Sequence, residues 1–193
     1  MMGAIYSSLA AFFPVMTKSE LRKAIRFRLE ALPLETRAEK SATLCREIAG
    51  CGEWKTARTV AFFSPLPSEP NVDLLWAVLE ARVVCYPRVD GDHLVFLKVP
   101  DRAALLESRW NLLEPAHQED AVVPMVEIDL LLVPGLAFTP DGHRMGRGKG
   151  YYDRLLAHPA LRATPLGVCF AEQLVVHLPT EEHDRPVARV ISA

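Results

Sequence analysis

The residues best suited to chemistry lie between Leu130 and Arg154, where the chain reads LLLVPGLAFTPDGHRMGRGKGYYDR. Gly146, Gly148 and Gly150 alternate with Arg147 and Lys149, with Arg144 and Met145 before them and Tyr151, Tyr152 and Asp153 after. Glycine lets backbone N–H groups approach a ligand closely, and the guanidinium and ammonium groups add positive charge. A basic, glycine-rich loop between a buried strand and a helix therefore suits a phosphate-bearing ligand. Asp153 falls in the first turn of that helix, where the backbone dipole favours a carboxylate, and it is also a hard oxygen ligand of the kind Mg2+ takes beside phosphates. Tyr151 and Tyr152 suit either ligand contact or core packing. The loop is not a Walker A sequence, because Gly150 and not Ser or Thr follows Lys149. Nor is it a dinucleotide fingerprint, because Pro134 to Met145 intervene between strand and glycines.

Other candidates are scattered. Lys18 and Arg22 share one helical face at the border of an apolar stripe, so both cations should lie at the edge of the docked surface. Glu69 lies in the Pro-rich stretch from Ser64 to Pro70, as a solvated loop charge or a ligand-binding group. Trp110 is either core or a stacking surface for a flat heterocycle. Asp184, in His183-Asp184-Arg185-Pro186, is a turn residue or a second carboxylate for the cation that Asp153 would hold. The six histidines have no metal-ligand spacing. No Ser/His/Asp or Cys/His arrangement is supported by spacing, so no covalent nucleophile is expected.

The elements that must position these groups read as an alternation of helices and strands. Thr17 and Glu20 form a capping box for a helix carrying Leu21, Ile25, Leu29 and Leu32 and ended by Pro33. A second capping box at Thr36 and Glu39 predicts a helix to Ala49, with Gly50 just beyond its end. Strands are expected at Thr59–Phe63, Arg82–Tyr86, His93–Val99, Leu130–Val133, Pro165–Phe170 and Val187–Ile191, the last at an edge. The turn Asp90-Gly91-Asp92 makes a hairpin of the second and third. Helices are expected over Asn71–Ala81 and Tyr151–Ala157, with short helical pieces at Ala103–Glu107 and Glu172–Val176. This pattern predicts an α/β fold, a single three-layer domain with a mostly parallel sheet and helices on both faces. Ligands of such sheets bind beyond the carboxyl ends of the strands. The loops after Phe63 and after Val133 both leave such ends, so they should face one crevice.

The length, 193 residues, fits one domain. Residues 1–16 read as an apolar extension without Lys or Arg, disordered or loosely docked, ahead of a domain over residues 17–193. The formal net charge of -2 disfavours a whole-protein field for nucleic acid, so any anion site is local. Four cysteines without a CxxC pair read as free thiols of a cytoplasmic protein. No stretch is long and apolar enough to span a membrane as a helix. No partner beyond small-molecule substrates is expected, and the chain is expected to be a monomer.

Lys18-x-x-x-Arg22, Glu69, Trp110-Asn111, the run from Pro134 to Phe138 and Gly146-Arg147-Gly148-Lys149-Gly150-Tyr151-Tyr152-Asp153-Arg154, and His183-Asp184 occur in that order. In this the chain resembles the 5-formyltetrahydrofolate cyclo-ligase family over Lys18 to its end. The resemblance implies an ATP- and Mg2+-dependent closure of 5-formyltetrahydrofolate to 5,10-methenyltetrahydrofolate, with ADP and phosphate released. It implies ATP binding by Lys18, Arg22, Arg144, Met145, Gly146, Arg147, Gly148, Lys149, Gly150, Tyr151 and Tyr152, with Arg147 and Lys149 also catalytic. The reduced folate would meet Arg22, Phe63, Glu69, Trp110 and Arg147 to Tyr151. Mg2+ would rest on Asp153 and Asp184. Thr139 and Ala188 depart from the family pattern, which usually has Asp at both positions, and the Ser64–Glu69 loop is one residue longer than usual. Two other readings fit the residues: a phosphosugar isomerase or CoA-transferase-like enzyme, with Glu69 as its carboxylate, and a non-catalytic nucleotide- or RNA-binding module.

Overall fold

The structure, a computed structural model, describes residues 16–108, 112–116 and 118–193. Trp110 and residues 1–15 of the expected extension lie outside the described residues. Met16 packs against the core. No helix among the described residues is long and apolar enough to cross a membrane.

The chain opens with helices α1 (Lys18–Ala31), α2 (Leu34–Gly50) and α3 (Gly52–Thr56). Strand β1 (Thr59–Ala61) is followed by a 3-10 helix over Val72–Val78 and then by β2 (Val83–Asp90) and β3 (His93–Lys98). Short strands β4 (Leu105–Glu107), β5 (Leu113–Pro115) and β6 (Val122–Val123) precede the central strand β7 (Leu130–Val133). Next come β8 (Ala137–Phe138), β9 (Arg144–Met145), helix α4 (Tyr151–Leu156), β10 (Thr164–Cys169) and β11 (Arg189–Ser192).

The main sheet has seven strands in the order β11-β10-β7-β1-β2-β3-β6. Its first four pairings are parallel, and the β2–β3 and β3–β6 pairings are antiparallel. Side chains on a strand alternate between faces. Val60, Leu130, Leu132, Leu166 and Val168 therefore join one cluster with Leu21, Ile25 and Leu29 of α1 and Leu44 and Ile48 of α2. Ala61, Leu131 and Val133 point the other way, into a second cluster with Phe138 and Leu155 of α4. Helices thus cover both faces, which is the three-layer α/β arrangement expected. Strand β7 touches both clusters and is buried at every residue, as its unbroken apolar run requires.

Several boundaries differ from the sequence expectation. The capping box at Thr17 and Glu20 is present in full. The one expected at Thr36 is not, because α2 begins two residues earlier than Thr36, with Pro33 at its N-cap, a position compatible with fixed φ. Gly50 is the last helical residue, and Cys51 closes α2 and caps α3 by accepting Trp54 N–H at its sulfur. Strand β1 ends at Ala61 and not Phe63. Since β1 pairs with β2 only as far as Cys85, Pro87 has no parallel neighbour needing its missing N–H, and β2 runs on to Asp90. The helix expected over 71–81 is a 3-10 helix, capped by Asn71 as predicted and ending at Val78. The helical piece expected at 103–107 is a 3-10 turn at Arg102–Ala104 that gives way to β4, because Leu105–Glu107 finds β5 as a partner. The helical turn near the end covers Ala171–Gln173.

A polar network joins the 3-10 helix to the hairpin. Trp76 Nε1 donates to Tyr86 Oη at 2.9 Å, Tyr86 Oη to Asp73 Oδ1 at 2.7 Å, and Arg102 Nε to Asp73 Oδ2 at 2.6 Å. Each buried polar group is thereby satisfied, and the network fixes the hairpin that forms one wall of the site.

Gly142 sits at φ +97°, where an L side chain is strained, and a Cβ there would strike the carbonyl oxygen of Val187. Gly142→Ala is expected to lose about 1–3 kcal/mol of stability through this strain and clash. Chemical denaturation of the two proteins side by side tests this, and an unchanged midpoint would contradict it.

Candidate active site

Two loops leave carboxyl ends of central strands, residues 62–70 after β1 and residues 134–150 after β7. With the β2–β3 hairpin they enclose a cavity of about 320 Å³. Phe63, Leu66, Pro87, Val89, Leu94 and Leu112 give it apolar walls. Glu69, Arg144, Arg147, Lys149 and Asp153 give it charge. A slot with apolar sides and a few convergent charged groups is the usual form of a site for a flat polar ligand.

The first loop presents Glu69 inward. Glu69 N–H donates to Leu66 O at 2.8 Å, and Glu69 Oε2 accepts from Leu66 N at 3.0 Å, so the loop closes as a tight turn on itself. Arg37 of α2 donates to Pro67 O and holds the loop against the helix layer. The Glu69 side chain is only 6% exposed. Its Oε1 accepts from Arg147 Nε at 2.9 Å and lies 2.9 Å from Arg147 Nη2, which also donates to Ser68 Oγ at 3.2 Å. The glycine loop and the Glu69 loop therefore meet through one ion pair across the cavity.

A second buried pair shapes the glycine loop from within. Arg144, 3% exposed, donates from Nη2 to Asp153 Oδ1 at 2.6 Å. Its guanidinium lies 5.6 Å over the Tyr152 ring. A Cβ at position 146 would stand 2.8 Å from Arg144 Nη1, so Gly146 leaves room for this side chain. Gly148 and Gly150 are glycines for another reason: their φ values of +106° and +70° lie in the left-handed region. Arg154 braces the end of the loop, donating to Lys149 O at 3.1 Å and to Asp92 O of the hairpin turn at 2.7 Å, and lies 5.2 Å over the Tyr151 ring. Helix α1 reaches the loop through Arg22, whose Nε donates to Gly146 O at 3.0 Å.

A sequence model of the 5-formyltetrahydrofolate cyclo-ligase family matches residues 15–193. The chain belongs to this family. It is 32% identical to the 5-formyltetrahydrofolate cyclo-ligase of Escherichia coli over 87% of this chain and 96% of that one. It is 28% identical to the Mus musculus cyclo-ligase over 95% and 97% of the two chains. Among solved structures, the 5,10-methenyltetrahydrofolate synthetase of Aquifex aeolicus superposes with a TM-score of 0.81 at 31% identity, covering 92% of this chain and 90% of that one. The synthetase of Mycoplasma pneumoniae, at 23% identity and a TM-score of 0.73 over 91% and 98% of the two chains, shares the fold. The resemblance read from the sequence, and with it the expectation of a ligase, is met.

The cyclo-ligase fold gathers most of the expected site residues into one cavity: Phe63, Glu69, Arg144, Gly146, Arg147, Lys149, Gly150, Tyr151, Tyr152 and Asp153. Arg22 and Gly148 lie next to this set. Met145 is 3% exposed, and its side chain packs into the core. Tyr151 and Tyr152 both line the cavity and pack against the core. Burial, followed by the nearby Glu69 charge, raises the Tyr152 pKa, so its hydroxyl remains a donor. Lys18 and Asp184 are not part of the cavity lining. They pair with each other at 2.7 Å, with Glu181 3.2 Å from Lys18.

No group of three or more His, Cys, Asp or Glu side chains is assembled for a metal ion among the described residues. Mg2+ commonly takes one or two carboxylates and fills its remaining positions with phosphate and water oxygens. Asp153, at the cavity and 16% exposed, fits that pattern. Asp184 Oδ2 is already shared by Lys18 Nζ and Glu181 N–H, so it is free for a cation only after Lys18 turns elsewhere.

Sequence reasoning missed several positioning groups. Gln173 is fully buried, donates from Nε2 to Gly135 O at 2.7 Å and accepts Phe170 N–H at 2.7 Å, tying the start of the loop after β7 to the end of β10. Nothing in a lone glutamine after an apolar run reveals this. The wall made by Pro87, Val89 and Leu94 was missed because β2 was expected to stop at Tyr86. Thr139 accepts His143 N–H at 3.0 Å and bonds to Asp141, which closes the turn. Burial pushes the Cys45 thiol up to about 12 and raises Cys85 and Cys169 as well, so these three remain protonated.

Asp184 carries a pH-dependent contribution to stability. Burial raises its pKa, but the Lys18 hydrogen bond, the Glu181 N–H and the Lys18 and His183 charges outweigh this and hold it below the ordinary carboxylate value. A group depressed in the folded state stabilises fully above its unfolded pKa, about 3.9, and the contribution disappears as pH falls through the folded value. The stability difference between wild type and Asp184→Asn is therefore expected to be constant from about pH 5 upward and to shrink below about pH 4. Denaturation measured from pH 3 to 7 tests this, and a difference that grows on acidification would refute the pairing.

Proposed function

We propose that the protein closes 5-formyltetrahydrofolate to 5,10-methenyltetrahydrofolate with consumption of ATP, as the family name and the site together suggest. The observation that carries the reading is the cavity itself. It sets a buried carboxylate, Glu69, between apolar walls and directly across from a basic glycine loop. A pterin ring has N–H donors for the carboxylate and two flat faces for the walls. The triphosphate needs the cations and backbone N–H groups of the loop.

The formyl oxygen is a poor leaving group. Its attack on the γ-phosphorus forms a new O–P bond and expels ADP. N10 then attacks the activated formyl carbon, loses its proton, and inorganic phosphate departs with the former formyl oxygen. The protein's work is to align formyl oxygen with phosphorus and to neutralise the charge of transfer. Arg147 and Lys149, at the cavity, suit that role, and Arg22 and Arg144 support the loop from either side. Lys18 would reach the phosphates after leaving Asp184. Asp153 would hold the Mg2+ that accompanies ATP, and Asp184 would join it once freed; the ion supplies charge neutralisation on the phosphates. No covalent nucleophile is required. The protein acts as a cytoplasmic monomer without nucleic-acid or membrane partners, a reading supported by its unpaired cysteines and nearly balanced charge.

Purified protein given 5-formyltetrahydrofolate, Mg2+ and ATP is expected to develop the absorbance of the methenyl product. No product would remove the proposal. Lys149→Ala is expected to lower kcat/KM for ATP by about 10- to 100-fold, the range of a lost charge-assisted contact. Asp153→Asn should shift the Mg2+ requirement upward. Glu69→Gln should raise the KM for the folate more than that for ATP, and the reverse order would move the pterin away from this loop.

A further inference from the structure

The geometry points to a second role for Arg147: it holds the Glu69 carboxylate in the ligand-free enzyme, and its transfer to phosphate couples the binding of the two substrates. This rests on the reading above, in which Arg147 meets phosphate and Glu69 meets the heterocycle.

The two groups assigned to different ligands are bound to each other. Glu69 Oε1 takes Arg147 Nε at 2.9 Å, while Ser68 Oγ on the same loop accepts Arg147 Nη2 at 3.2 Å. Among the described residues the Glu69 carboxylate has, apart from Arg147, one hydrogen bond, from Leu66 N to Oε2. Its side chain is 6% exposed, so water cannot readily replace the guanidinium. Breaking one side of a buried ion pair strands the other charge, which is the costly part.

Each ligand then supplies what the other removes. Phosphate that draws Arg147 away leaves Glu69 without its cation, unless ring N–H groups of the folate take its place. A folate that binds Glu69 must release Arg147, which then lacks an anion until phosphate arrives. With both present, the single pair is exchanged for two new ones. The first ligand bears the cost of separation, and the second binds to groups already free. Thermodynamic linkage makes the effect reciprocal. Arg147 is thus a positioning residue for Glu69 before turnover and a phosphate contact during it. The exchange also favours filling the cavity with both substrates over filling it with either alone.

Calorimetric titrations test this with adenylyl imidodiphosphate plus Mg2+ as the nucleotide and 5-formyltetrahydrofolate as the folate. Each ligand is titrated into wild-type protein alone and in the presence of the other. Each Kd is expected to fall about 10-fold when the partner is bound, within the usual range of coupling between sites. In Glu69→Gln the neutral amide holds Arg147 less strongly. The nucleotide alone is expected to bind more tightly than it does to wild type, and coupling should drop to about 2-fold or less. Equal wild-type Kd values with and without the partner would overturn the coupling while leaving the functional reading standing. So would a Glu69→Gln protein that keeps the full wild-type coupling. If wild type binds neither ligand, the functional reading fails and the inference falls with it.

Discussion

A charge buried away from water is costly unless an opposite charge or several hydrogen-bond donors face it. The strand-end side of this sheet follows from that constraint. Glu69 faces Arg147, Asp153 faces Arg144, and half-buried Asp184 faces Lys18. Each pair joins separate stretches of chain: the loop after β1 to the glycine loop, β9 to α4, and α1 to the tail before β11. Backbone hydrogen bonds build the sheet; beyond it the first two contacts draw the loops around one cavity, and the third ties α1 to the tail outside that cavity. At the cavity the acceptor Glu69 and the cation Arg147 are matched to each other, and so are Asp153 and Arg144.

The apolar layers supply the rigidity that this arrangement requires. Strand β7 buries Leu130 and Leu132 on one face and Leu131 and Val133 on the other, so Pro134 leaves the sheet at a fixed point. Gln173 and the β8–β9 pairing then hold the first part of the following loop. The extension of β2 past the end of β1 does similar work on the other side, lifting a hairpin above the sheet to form the far wall. The mixed character of the sheet is thus tied to the cavity: the parallel strands supply the loops with charged groups, and the antiparallel hairpin supplies apolar surface.

The sequence was most legible where pattern and local chemistry coincide. Thr17 and Glu20 announced α1, the unbroken apolar run announced β7, and the alternating glycines and cations announced the anion loop. The meeting of the loops after β1 and β7 followed from a rule about parallel sheets, and the shared cavity agrees with it. Legibility failed where a boundary depends on a partner distant in sequence. Nothing in VVCYPRVD says that β1 stops opposite Cys85, which is what frees Pro87 to continue the strand. Leu105–Glu107 looks helical until β5 is placed beside it. The pairing of Asp153 with Arg144 was equally hidden, because both were read as ligand groups and the loop between them had no shape. Pairing partners are a property of the fold, whereas residue types are a property of the sequence.

The guanidinium of Arg144 occupies the space that a side chain at position 146 would need, and that of Arg154 stands in the same relation to position 150. In each case the glycine and the arginine together fill one volume. Their mutational histories should therefore be linked. A side chain can be accepted at 146 only in a background where residue 144 has been shortened or has swung away, and such a change also deprives Asp153 of its cation. Recoding positions 146 and 150 should therefore go most readily when each glycine is varied together with its arginine.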